Sequence, residues 1–113
     1  MTAILTGISR TGVGTFLSVL KLFGAQTGML SFPMEGFTLA LDFPASPATF
    51  ALLTGLDAMV VDHGGRLYLA KDSGMGAALF RRSYRQLDAF QALRLRLDPA
   101  GKFWPVQSRR LGI

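Results

Sequence analysis

The chain reads as an α+β domain: a small, mainly antiparallel sheet of three strands with helices on one face, the elements running α-β-β-α-β-α-α. Three observations carry that reading. Two apolar runs, Gly14 to Phe23 and Phe37 to Phe43, are bounded by glycine or proline and rich in Val, Thr and Phe, as strands are. Between Ser46-Pro47 and Gly64-Gly65, apolar residues recur at helical spacing. A third run, Arg66 to Ala70, alternates polar and apolar residues directly after the glycine pair. A β-α-β-β-α-β unit is a recurrent two-layer plan. This order supplies all of it but the first strand, an incomplete ferredoxin-like unit.

Residues Thr2 to Arg10 allow a helical turn or two, closed by Thr11-Gly12. In the run from Gly14 to Phe23 both residue parities carry apolar groups, so a strand here is buried on both faces. Ala25 to Glu35 is a connection bearing glycine and proline. In the second strand Phe37, Leu39, Leu41 and Phe43 share one side, and Thr38, Ala40 and Asp42 the other. That second side is a row of small residues with room for something bulky, and Pro44 ends the strand. Ser46 as N-cap and Pro47 at the first helical position open a helix from Pro47 to His63, built on Phe50, Leu53, Leu56, Met59 and Val60. The third strand follows, then a loop from Ser73 to Gly76 in which Asp72 and Ser73 suit turn capping. Helices are expected over Ala77 to Arg82 and Tyr84 to Leu97, with Asp98-Pro99-Ala100-Gly101 as breaker.

A length of 113 residues suits one domain, 1–113, with a modest core. Half of the residues are hydrophobic and 17% charged, which excludes a disordered chain. The net charge is +5, and nine of the twelve cations are arginine. Arg81, Arg82, Arg85, Arg94 and Arg96 cluster in the last third, a pattern that a solvated helical face explains. A phosphate-bearing substrate, an acidic domain and an anionic lipid surface are sharper readings. No nucleic acid is expected, because no basic groove interleaved with aromatics is visible. The absence of cysteine excludes disulfides and thiolate metal sites, and a lone His63 excludes a two-histidine centre, so no metal is expected. No secretory leader fits Met1-Thr2-Ala3 and its glycine-interrupted sequel, and no apolar run is long enough to span a bilayer. The expected location is cytoplasmic, with a membrane-peripheral address as the alternative.

Two lysines stand out. In a strand from Gly14 to Phe23, Leu17, Val19, Lys21 and Phe23 share one face, so Lys21 either snorkels at a sheet edge or points into a polar cavity. Lys71 closes the Arg66–Ala70 run beside Asp72, where its ammonium can enter a cleft while its stem packs on neighbours. Other signals are weak. Gly12-Val13-Gly14 and Gly74-Met75-Gly76 lack the spacing of a dinucleotide fingerprint. Asp57 and Asp62 are spaced for separate helix faces, and His63 beside two glycines suits an exposed helix end.

The segment Gly65-Arg66-Leu67-Tyr68-Leu69-Ala70-Lys71-Asp72-Ser73 also resembles a family signature. Gly36-Phe37 and Leu41-Asp42-Phe43-Pro44 precede it, and Leu97-Asp98-Pro99 and Ser108-Arg109-Arg110-Leu111 follow it. Together they resemble the C-terminal end of FAD-dependent sugar oxidoreductases, nearest the decaprenylphosphoryl-ribose oxidase group within the aldonolactone oxidases of the vanillyl-alcohol-oxidase type. The resemblance implies a substrate-side domain for the oxidation of a CH–OH group on a sugar or aldonolactone. FAD would be held by an N-terminal flavin-binding domain or subunit that this chain lacks, so the chain alone is expected to be inactive. By the same resemblance Lys71 and Tyr68 are catalytic, and Lys71 and Ala40 lie against the flavin. Leu17, Val19, Lys21, Phe23, Thr38 and Ala40 line the substrate pocket, with Lys21-Leu22-Phe23-Gly24 matching the family's segment. Ala40 stands where the ribose oxidases typically carry cysteine, Gly74 where the family often has arginine, and Pro105-Val106 where it commonly has Ser-Asp. The alternative is a non-enzymatic α+β module for ligand binding or oligomerisation. An unpaired strand edge or the exposed substrate face is further expected to support a homodimer.

Overall fold

The computed structural model describes residues 1–72 and 74–113. Among these, five helices and two strands follow the order α1 (Thr2–Thr11), β1 (Leu17–Phe23), β2 (Gly36–Asp42), α2 (Pro47–Asp62), α3 (Ala77–Ser83), α4 (Leu87–Leu97) and α5 (Val106–Leu111). β1 and β2 pair antiparallel with Leu17 opposite Asp42, Val19 opposite Ala40, Lys21 opposite Thr38 and Phe23 opposite Gly36. The Thr15 hydroxyl, 2.8 Å from the carbonyl oxygens of Leu17 and Asp42, secures the open end of this hairpin.

The three-stranded sheet, and with it the incomplete ferredoxin-like unit, is not formed: the sheet has two strands. Mixed α and β structure still fits in broad terms. The missing strand is Arg66–Ala70, and the reason lies in what its backbone binds. The Leu67 carbonyl accepts a hydrogen bond from the Tyr84 hydroxyl at 2.8 Å. The Leu69 carbonyl accepts one from the Gln107 amide at 2.6 Å, and that of Tyr68 one from the Lys71 N–H at 3.0 Å, closing a turn. The alternation in the sequence is real, because Leu67 and Leu69 both pack on the main core. Their partners are helices, so the carbonyls are taken by side chains instead of a neighbouring strand.

That core gathers Met75, Phe80, Tyr84, Leu87 and Leu111, with Leu30, Leu67, Leu69, Leu79 and Ile113 around it. The Phe80 and Tyr84 rings lie 4.7 Å apart. α5 supplies Leu111 to the core. α4 starts at Leu87 instead of Tyr84, which instead caps α3 through its backbone N–H.

α2 forms as its capping signals require: the Ser46 Oγ accepts from the Thr49 N–H at 3.1 Å and Pro47 opens the first turn. α1 packs against α2 and ends where Gly12 takes a left-handed conformation, φ 67°. Beyond α2 the chain doubles back so tightly that a Cβ on Gly65 would lie 2.7 Å from the Val60 side chain. Only glycine permits that reversal, which sets the direction of the 66–72 segment. Asp72 caps the turn that follows through the N–H groups of Gly74 and Met75; the Ser73 half of that expectation lies outside the described residues.

The hairpin stands apart from this core. Its outer row leaves Leu20, Leu22 and Phe37 between 57% and 70% exposed. The radius of gyration is 15.5 Å, against roughly 13 Å for a compact chain of this length. The accessible surface is 7635 Å², where a folded monomer of this mass exposes about 6,100 Å².

If helices hold the 66–70 segment, Tyr84→Phe should lower stability by about 1–2 kcal/mol through loss of the bond to Leu67. Urea unfolding would measure it, and amide exchange should quicken over residues 67–71 while the β1–β2 hairpin is unaffected.

Candidate functional site

A cleft of about 880 Å³ separates the hairpin from α2 and the 65–72 segment. The period of two along β1 turns Leu17, Val19, Lys21 and Phe23 toward it, and the register places Asp42, Ala40 and Thr38 directly across. α2 contributes a stripe of Phe50, Leu53, Asp57 and Val60, spaced so that all four lie on one helix face. The third wall is Arg66 to Tyr68 with Lys71 and Asp72. All eight residues singled out in the sequence therefore border one cleft: Leu17, Val19, Lys21 and Phe23 from β1, Thr38 and Ala40 from β2, and Tyr68 and Lys71 from the segment.

Two contacts join the walls. The Lys71 ammonium lies 3.1 Å from Asp42 Oδ1, tying the segment to β2. Both groups are partly exposed, so the pair adds only ~0.5 kcal/mol and serves chiefly to place the lysine. At the other end Phe32 stacks between Phe23, 6.3 Å away edge-on, and Tyr68, 4.9 Å away. Tyr68 is thus held by its ring and remains half exposed. Arg66 turns from the cleft's centre to donate to the Ser31 carbonyl at 2.7 Å and to lie over the Tyr84 ring. Among the described residues Lys21 makes no ion pair, and no three side chains are grouped to hold a metal.

Asp72 is the anchor of the third wall. Its side chain is 4% exposed and receives the Arg110 guanidinium at 2.6 Å and the Met75 and Gly74 N–H groups at 2.7 and 3.0 Å. Burial acts to raise its carboxyl, but these hydrogen bonds, Arg110 foremost, prevail and hold it below the ordinary carboxylate range. Arg110 also donates to the Met75 carbonyl, so α5 is fastened to the cleft wall next to Lys71. Arg110 was visible in the sequence only as part of the Ser108-Arg109-Arg110-Leu111 resemblance, without a role.

The sequence spacing sets Asp57 only against Asp62, on a separate helix face, and gives it no role. Asp57 sits in the middle of the α2 stripe, and burial among those apolar neighbours, reinforced by the charge of Asp72, raises its carboxyl to about 6. The signal was present: Asp57 follows Leu53 by four and precedes Val60 by three, the spacing of the apolar face itself. Comparing it with Asp62 alone hid this.

A raised carboxyl destabilises the fold once ionised, so its contribution favours the native state at low pH and is lost as pH rises through about 6. Asp57→Asn should therefore stabilise the chain at pH 7 by on the order of 1 kcal/mol, after allowance for solvent screening. Thermal unfolding should show the gain shrinking as pH falls from 6 and vanishing below 4, where both forms are neutral.

No family model matches the chain. It is 40% identical over 110 residues, 96% of its length, to the decaprenylphosphoryl-β-D-ribose oxidase of Mycolicibacterium smegmatis, of which it covers 24%. It is also 40% identical over 108 residues, 94% of its length, to a Streptomyces coelicolor protein described as an uncharacterised protein in the mprA 5′ region, covering 29% of that chain. The chain spans about a quarter of the length of the curated relatives it matches. What it resembles is a C-terminal fragment of decaprenylphosphoryl-β-D-ribose oxidase, the group whose motifs its sequence carries.

Proposed function

We propose that this chain is the substrate-pocket domain of an FAD-dependent oxidoreductase that oxidises a CH–OH group of a sugar or aldonolactone, and that it is inactive without a flavin-binding domain. The observation that carries this reading is the cleft itself. Residues drawn from two strands and a distant segment, chosen on family resemblance, border one space with both lysines on its walls. The 40% identity to an oxidase of a ribose derivative supports it.

The donor set fits one part of the cofactor. Oxidation of a carbinol places negative charge near the pyrimidine end of the flavin, and Lys71, fixed by Asp42 and half exposed at the cleft, is suited to stabilise charge developing there. Among the described residues neither glycine motif suits the pyrophosphate: Gly74-Met75-Gly76 leads into a helix of only seven residues, and Gly12-Val13-Gly14 leads into a strand. On this reading the dinucleotide half of FAD would be held by a flavin-binding domain or subunit. Lys71 would supply the fixed cation, Tyr68 would form the wall beside it, and the small Ala40 side chain would leave room on the inner face of β2 for the cofactor, whose chemistry is hydride acceptance. Lys21, further along β1, suits binding of substrate oxygens, while Leu17, Val19 and Phe23 exclude water.

The surface supports a partner as well. The chain exposes about 1,500 Å² more than a monomer of its mass normally does, beyond the roughly 800 Å² that one side gives to a standard interface. A second copy pairing at a free hairpin edge is the alternative occupant, and sedimentation of the isolated chain would report it.

To test the reading, the chain would replace the matching C-terminal portion of the Mycolicibacterium smegmatis oxidase. Lys71→Ala in that chimera should slow flavin reduction about a hundredfold at unchanged flavin occupancy, while Lys21→Ala should chiefly raise KM. Flavin reduction at the normal rate with Lys71→Ala would defeat the proposal.

A further inference from the structure

We infer that Asp57 is a ligand-recognition residue of this cleft, its carboxylate accepting a hydrogen bond from a hydroxyl group of a neutral, polyhydroxylated ligand. The inference rests on the reading of the cleft as a sugar pocket and adds to it a residue that no motif marks.

Three carboxylates border the cleft, and two are committed. Asp42 faces Lys71 at 3.1 Å, and Asp72 is filled by Arg110 and two backbone N–H groups. Among the described residues none donates a hydrogen bond to Asp57. It stands half-buried between Leu53 and Val60, on the same stripe as Phe50. A carboxylate in an apolar stripe, repelled by a second carboxylate, is disfavoured unless something outside the fold pairs with it.

The chemistry of the other walls selects the donor. The charged or titratable groups bordering the cleft with Asp57 are Lys71, Asp72 and Arg66 on the adjoining segment, Lys21 and Asp42 on the hairpin, His63 at the end of its own helix and the Met1 amino group before α1. A cationic ligand would meet Lys21 and Lys71, and an anionic one would meet Asp57 itself. A neutral hydroxyl donates to Asp57 without either penalty, and a neighbouring hydroxyl accepts from Lys21. Apolar residues between these polar points suit the C–H faces of a sugar ring.

The test is binding of methyl β-D-ribofuranoside to the whole chain, followed by the amide resonances of Lys21, Thr38 and Tyr68. Asp57→Asn, which keeps the shape and removes the charge, should weaken binding roughly tenfold, the value of one charge-assisted hydrogen bond. In the unmodified chain affinity should fall as pH drops through about 6, because the hydroxyl pairs with the ionised form. That dependence should disappear in Asp57→Asn and survive in His63→Gln, which tests whether Asp57 is its source. If the riboside shifts the three amides but Asp57→Asn binds as tightly, or if the pH dependence follows His63, the inference fails and the sugar-pocket reading stands. A riboside that shifts none of the three overturns both.

Discussion

The buried Asp72 carboxylate is the contact on which the cleft depends. It is one residue from Lys71, and it gathers the Arg110 guanidinium and the amides of Gly74 and Met75 around a side chain almost closed to solvent. Each partner comes from a different stage of the chain: the turn after the segment, the start of the core at Met75, and the C-terminal helix. A charge so enclosed is tolerable only when its lone pairs are filled, and here they are. Because Arg110 also holds the Met75 carbonyl and Gln107 the Leu69 carbonyl, α5 acts as a strap across the outside of the cleft wall. The position of the Lys71 backbone is thereby set by residues near the C-terminus.

From that anchor the molecule divides into two bodies of unequal firmness. The helical body has a dense centre in Phe80, Tyr84 and Leu111, each 2% exposed or less. The hairpin has none, since two strands alone bury too little to be stable in water. What ties them together is the Lys71–Asp42 pair and the Phe23–Phe32–Tyr68 stack, one at each end of the cleft. The cleft is thus the seam between a firm wall and a compliant one.

Much of this was legible in the sequence, and the failures are instructive. Local signals with one dominant cause were readable: the Ser46-Pro47 start of α2, the glycine stops, and the two strands with the small-residue row of Thr38 and Ala40 on the inner face. The Arg66–Ala70 strand failed because period-two alternation reports a half-buried extended chain and is silent about what buries it. A helix pair served as well as a strand, and Tyr84 and Gln107 are 17 and 38 residues away from the carbonyls they bind. α5 was hidden for a related cause. Six residues starting at Val106 have almost no intrinsic helical stability, and it is Leu111 in the core and Arg110 on Asp72 that hold them. For the cleft, the resemblance named residues bearing familiar motifs but not Asp57, whose significance is a matter of burial.

Four aspartates show how far environment governs what one side chain can do. Asp98, in the open, is lowered by the backbone N–H groups of Phe103 and Lys102, and closes a turn. Asp72 is buried yet lowered, since the hydrogen bonds it collects outweigh its desolvation, and it serves as an anchor. Asp42 steadies a lysine across the seam. Asp57 is raised, with burial as the leading cause, and no bond within the described fold offsets it. The first three strengthen the structure that contains them; the fourth weakens it at neutral pH. Sites that sacrifice stability in this way are where binding and catalysis concentrate. In this chain that residue faces the same cleft as both lysines.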